Sequence, residues 1–216
     1  MDGEHQPSDR PTIDEIVVGD EPESWRAAGF TVDPDGTCRI GTVRVRLVGR
    51  GHGKRILSWS LRDIAATDGP IDGLVTTISD APPAEPAEHP NRVRSIDHVV
   101  LLSPDTDRTK AALEAIGFDV RRVRETDSYG SPMRQIFFRA GEVVIELVGP
   151  EEASEGTTAF FGLALTVDDL DAAAALLGPG LGAPQDAVQP GRQIAGLRHK
   201  DLDISVATVF MSPDPA

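Results

Sequence analysis

Cysteine is nearly absent from this chain: Cys38 stands alone, so no internal disulfide can form, and the fold must rest on its core. Positive charge is also scarce. Lys and Arg number 21 against 35 Asp and Glu, giving a formal net charge of -14. The clustered cations that a phosphate backbone requires are missing, which excludes nucleic acid as a partner. No apolar run approaches the roughly 20 residues of a membrane-spanning helix, because charge or glycine interrupts each one within a few residues. The opening MDGEHQPSDR has neither a basic nor an apolar targeting segment, so a cytoplasmic location is expected. No nucleotide cofactor is expected.

What is present is enough for a core and for internal repetition. The 216 residues suffice for one large or two small domains. Residues 80–91, DAPPAEPAEHPN, lack apolar periodicity and carry four prolines, which predicts an extended linker at 80–94. It separates segments 12–79 and 95–212, and residues 1–11 are expected to be disordered. TIDEIVV (12–18) resembles SIDHVV (95–100), AAGFTV (27–32) resembles AIGFDV (115–120), and GTVRVRLVG (41–49) resembles GEVVIELVG (141–149), in the same order. Inside the C-terminal segment SPMRQI (131–136) resembles QPGRQI (189–194), so that segment holds two copies of one unit.

Each unit reads as strand, helix, then strands. The strand IDHVVLLS (96–103) leads into SPDTD, which supplies caps for a helix stopping at Gly117, with Thr109, Ala112, Leu113 and Ile116 as its buried stripe. In the second unit Asp168 or Asp169 caps a helix striped by Leu170, Ala173, Ala174 and Leu177. The N-terminal segment has room for about two helical turns between Pro22 and Gly29 and no helix between 61 and 72, so it reads as a reduced copy. The fold class is α+β.

These repeats, with the IDHVV start, the helix ending in GF, the ELVG strand and ALTVDDLDAAAALLG, resemble the vicinal oxygen chelate superfamily of glyoxalases, extradiol dioxygenases and fosfomycin-resistance proteins. The likeness is to glyoxalase-like proteins of actinobacterial type; it is strong over 95–212 and weak over 12–79. It implies paired βαβββ units in a half-open barrel, preceded here by the reduced copy, and a small oxygenated metabolite as ligand. It also implies a divalent metal held from the first and last strands of each unit, and lyase, isomerase or dioxygenase chemistry in a monomer or homodimer.

Carried over by position, the metal ligands of the first unit are His98 and Glu146. The second unit offers only Gly162 on its first strand, and its last strand ISVATVFMS (204–212) has no ligating side chain. The N-terminal copy places Glu15 and Arg46 there. Three readings of His98 and Glu146 stand side by side: a partial metal site, an acid/base pair whose partly dry setting tunes its pKa values, and an inherited but silent hydrogen-bonded pair. A turn at Ala140–Gly141 would set Gln135 opposite Glu146 and put Gln135, Phe137 and Glu146 on the cavity face. Gln135, Phe137 and Gln193 are the candidate substrate contacts. His52 and His199 read as loop histidines that could complete a metal site, whereas His5 and His89 fall in flexible segments. Trp25 and Trp59 read as packing, and Cys38 has no activating neighbour. A binding protein that sequesters a small ligand without metal is the alternative function.

Overall fold

The computed structural model describes residues 10–65, 67, 69–127 and 130–215. His5 and most of the N-terminal tail expected to be disordered lie outside the described residues. Two open sheets form, and neither closes into a barrel. The first has the order β2-β3-β1-β4-β5, built from β1 (Thr12–Val18), β2 (Thr37–Ile40), β3 (Val43–Leu47), β4 (Ile56–Arg62) and β5 (Thr76–Ile78). The second runs β11-β12-β13-β10-β6-β9-β8-β7. Its first half comprises β6 (Val93–Leu102), β7 (Val120–Thr126), β8 (Met133–Ala140) and β9 (Val143–Pro150). Its other half comprises β10 (Ala159–Val167), β11 (Gln185–Asp186), β12 (Gln193–Gly196) and β13 (Ala207–Met211).

The repeat seen in the sequence is a repeat of pairing. The first strands β6 and β10 meet antiparallel at the centre, and each is flanked by the last strand of its own unit in parallel, β9 beside β6 and β13 beside β10. The five-stranded sheet follows the same rule with β1 and β4 at its centre, β3 parallel to β1 and β5 parallel to β4. Helix α2 (Thr106–Ala115) starts where the Asp105 carboxylate accepts the Arg108 N–H at 3.0 Å, and it buries Thr109 and Leu113. Helix α3 (Leu170–Leu177) is capped by Asp169 in the same way and buries Leu170 and Ala173. Among the described residues the first sheet owns one α-helix, α1 (Pro22–Ala27), which buries Trp25.

With so little helix of its own, the first sheet covers its apolar face with the second sheet. Strand β4 packs against β10, β2 against β6, and β1 against β8. Trp59 meets Phe160 edge-on at 5.2 Å, and Phe30 meets Phe210 at 6.3 Å, inside one continuous core. The opposite faces of both sheets therefore look outward. The equivalent hairpin turns also touch: Glu142 Oε1 accepts hydrogen bonds from the Thr42 N–H and Oγ1–H, each at 2.6 Å.

The expected linker is extended but not loose. Ala84 N–H donates to Thr42 O, Ala87 N–H to Arg39 O, and Asn91 N–H to Gly29 O, which straps the segment to the first sheet. His89, expected in a flexible stretch, is 6 % exposed: its Nδ1 accepts the Thr31 N–H at 3.0 Å, so its Nε2 carries the hydrogen facing Arg39 O at 3.1 Å. Burial holds its pKa below the usual histidine value, only partly opposed by the Arg39 carbonyl.

Candidate functional site

The site is read from the register of the eight-stranded sheet. The β8–β9 turn lies at Gly141–Glu142 rather than Ala140–Gly141, because Ala140 pairs with Val143. Gly141 has φ +67°, a left-handed conformation that glycine adopts without strain. Each strand is thus displaced by one residue from expectation. Phe137 now faces Glu146, and Gln135 faces Val148. The combined shift is even, so Gln135, Phe137 and Glu146 still share a face. The other face carries Ile136, Phe138 and Ile145, all fully buried.

His98 lies opposite Val144 on β9, and Glu146 lies opposite Val100 on β6, so the two side chains are diagonal neighbours on the outward face. His98 Nε2 is 3.3 Å from Glu146 Oε2. Gln135 Nε2 donates to Glu146 Oε1. The side chains of His98 and Glu146 are 16 % and 10 % exposed, so the pair is largely dry yet reachable.

Asp97 was not singled out from the sequence and proves central. The pairing of β6 with β10 steps from His98↔Ala164 to Ile96↔Leu165, which leaves Asp97 as an extra, bulged residue. A bulge re-aims a side chain, and here it brings Asp97 beside its sequence neighbour His98, with Oδ1 2.8 Å from Nδ1. Arg192 donates to Asp97 Oδ2 at 2.7 Å and Thr166 at 3.2 Å. Burial alone would raise the Asp97 pKa, but the hydrogen bonds and charges of His98 and Arg192 outweigh it and hold the carboxyl down at about 2. An ionised Asp97 accepts a hydrogen from His98 Nδ1 and so turns Nε2 toward Glu146. The signal for Asp97 was available: TIDE and SIDH carry the aspartate at the same place, and Asp14 is bulged likewise in β1.

The second RQI motif contributes its arginine. Ile194 pairs with Met211, so Gln193 lies on the face away from Arg192; its side chain is exposed, and its backbone N–H bonds Ser212 Oγ at 2.8 Å. The structure does not bring Gln193 to the network. His52 is exposed, and His199 Nδ1 is engaged with the Ile204 carbonyl at 2.9 Å, so neither joins the pair. Cys38 is buried, and burial pushes its thiol pKa up, far from a nucleophile. Trp25 and Trp59 are core residues.

The ligand set does not fit a resident divalent metal. A catalytic zinc site takes about three protein ligands with a water. His98 and Glu146 are two, spaced so that they could share an ion, but each is already engaged by the other and by Asp97 or Gln135. In the other half, Gly162↔Ala207 and Ala164↔Val209 repeat His98↔Val144 and Val100↔Glu146, so the matching positions are Gly162 and Val209. A Cβ on Gly162 would collide with the Ala207 carbonyl oxygen, so this backbone has no room for a ligand there. Among the described residues no group of three or more His, Cys, Asp or Glu is arranged for a metal.

Comparison with known proteins agrees with this architecture. The chain is similar in structure to a triple mutant of 4-hydroxymandelate synthase from Streptomyces coelicolor, with a TM-score of 0.64, 14% identity, and 97% of this chain and 94% of that one covered. For the Mn(II)-bound glyoxalase from Novosphingobium aromaticivorans the values are 0.61, 16%, 93% and 81%. For a catechol 2,3-dioxygenase they are 0.60, 11%, 95% and 90%. At these identities the likeness is one of fold. None of the curated proteins matches the chain. Residues 97–180, which begin at the bulged aspartate and include His98, Gln135 and Glu146, match the family described as Glyoxalase/Bleomycin resistance protein/Dioxygenase superfamily.

Proposed function

We propose that the outward face of the eight-stranded sheet is the active site of a glyoxalase-like enzyme that moves a proton on a small oxygenated metabolite, with Glu146 as base and His98 as acid. The observation that carries this reading is the relay Asp97···His98···Glu146···Gln135. A histidine held by an ionised aspartate on Nδ1 and aimed by Nε2 at a mostly buried glutamate is a preset proton-transfer unit. Phe137, opposite Glu146 and half-buried, serves as a substrate contact.

In the step this arrangement supports, Glu146 removes a proton from a carbon next to a carbonyl. The C–H electron pair enters the new C=C bond of an enol, and the carbonyl oxygen takes a proton from Nε2 of the imidazolium form of His98, which leaves the neutral ring with its remaining hydrogen on Nδ1 facing Asp97. Reversal on the opposite face or loss of a neighbouring group then yields an isomerase or a lyase. No step passes through a metal. The small apolar half formed by Gly162, Ala164 and Val209 favours a second reading, sequestration of an apolar ligand without turnover.

A panel of small oxo and hydroxy acids and their esters, incubated with the protein in D₂O and EDTA and followed by proton NMR, tests the first reading. Deuterium should enter at the carbon next to the carbonyl of at least one compound, and Glu146→Gln should slow its entry by roughly 10²–10⁴-fold. Exchange that is indifferent to Glu146→Gln, or that demands added metal, sinks the proposal. Binding with no exchange in the wild type favours sequestration.

A further inference from the structure

The outermost strand β7 carries VRRVRET, and its pairing with β8 decides where those arginines point. Val120 pairs with Phe138, Arg122 with Phe137, and Arg124 with Gln135, so Arg121 is a bulged extra residue. Without the bulge, strict alternation would turn Val123 to the site face and Arg122 and Arg124 to the other. With it, both arginines stand on the face of Glu146. The cross-strand rows are then Arg122–Phe137–Glu146–Val100 and Arg124–Gln135–Val148–Leu102.

Several arginines elsewhere grip carboxylates: Arg44 and Arg62 hold Asp14, Arg46 holds Glu15, Arg134 holds Asp107, and Arg192 holds Asp97. Among the described residues Arg122 and Arg124 have no hydrogen-bond or ion-pair partner, although acids outnumber bases 35 to 21 in the chain. Arg124 is half-buried beside Gln135. On the far side of Glu146 the face turns apolar. Leu102 is 39 % exposed, and Phe161, the extra residue of a second bulge in β10, is 44 % exposed. The arginines and Glu146 lie two strand spacings apart, about 10 Å, a gap that an arginine side chain spans in large part.

We propose that this site takes a small carboxylate with an apolar body, its anion held by Arg122 and Arg124 and its apolar end resting on Val100, Leu102 and Phe161. The inference rests on the proposed reading of Glu146 and His98 as the reacting centre that lies between the two ends. Guanidinium is suited to this task because its planar fork matches a carboxylate bidentately. In a strongly acidic protein a local pair of unpaired cations is what allows an anion to approach. A protective role for charge on an outermost strand competes with this assignment. Such a role needs neither a shared face with Gln135 nor a bulge that creates it.

The test uses 3-phenylpropanoate and its neutral isostere 3-phenylpropanamide as probes, titrated into the full chain while the His98 ring signals are followed by NMR. The carboxylate should bind at least fivefold more tightly than the amide and move the His98 signals. Arg122→Gln with Arg124→Gln should abolish the preference without moving the melting temperature. Raising salt should weaken the carboxylate alone. Equal binding of the two probes, a preference that survives the double substitution, or no binding of either probe at 20 mM overturns the proposal. Failure of the proton-transfer reading is separable from this. In that case Glu146→Gln leaves deuterium exchange unchanged while the preference for the carboxylate persists.

Discussion

The two sheets present the same two positions with opposite chemistry. Arg46 lies opposite Val17 on β1 just as Glu146 lies opposite Val100 on β6, and Glu15 occupies the place of His98. Arg46 grips Glu15 through both carboxylate oxygens, at 2.9 and 3.0 Å. Both sheets also bulge at an aspartate. Asp14 is locked by Arg44, Arg62 and Ser79, whereas Asp97 is held by Arg192 and Thr166 and spends its other oxygen on His98. The backbone device is common to both, and only the second sheet leaves a proton-carrying group at the end of it. A self-neutralised pair such as Glu15–Arg46 has nothing left to offer a ligand.

Substitutions at these matched positions break the comparison most strongly on the side of the proposed proton-transfer pair. Glu146→Gln or His98→Ala should lower turnover by roughly 10²–10⁴-fold, and the double variant should lose far less than the product of the two, since the groups act as one unit. Glu15→Gln should leave turnover within about twofold. On stability the ranking reverses. Asp14→Ala strands the buried Arg62 guanidinium and should cost about 3–5 kcal/mol by urea unfolding, whereas Asp97→Ala, whose partner Arg192 also reaches Asp214, should cost less. Leu113→Ala, which removes a fully buried side chain where α2 backs the second sheet, should cost about 2–5 kcal/mol.

Acid should act through both regions, but in different windows. The folded-state pKa of His89 is depressed, so its contribution is present above the ordinary value of 6.5 and is lost as pH falls below it. The Asp97 carboxyl is depressed from 3.8 to about 2, so its contribution is lost only between those values. Urea midpoints between pH 7.5 and 5.5 should therefore fall in the wild type and flatten in His89→Gln, with Asp97→Asn still showing the fall. The smallest effect is expected at the exposed Glu15–Arg46 pair, whose removal should cost under about 1 kcal/mol and still less in high salt.

Most of the fold was legible because apolar alternation and cap residues act locally. Thr109, Leu113 and Asp169 do in the structure what their spacing requires. The face shared by Gln135, Phe137 and Glu146 was legible even though the turn was displaced, because an even shift of register leaves faces unchanged. Asp97, Arg122 and Arg124 were hidden because their directions depend on bulges, and strict alternation cannot represent an inserted residue. Arg192 was hidden because the RQI likeness aligns letters, whereas the pairing of Ile194 with Met211 decides the side. Residues 80–91 looked detached because their partners are backbone carbonyls far along the chain, which composition does not display.

The back-to-back seating of the sheets makes the two modules a single thermodynamic unit. Releasing the first sheet would strip cover from Phe160 and Phe210 and break the Asp72 bonds to Arg108 and Thr109, so neither half can lose structure without exposing the core of the other. Heat should then dissolve the whole chain in one transition, with equal calorimetric and van't Hoff enthalpies, and a protease should find no stable half to leave behind.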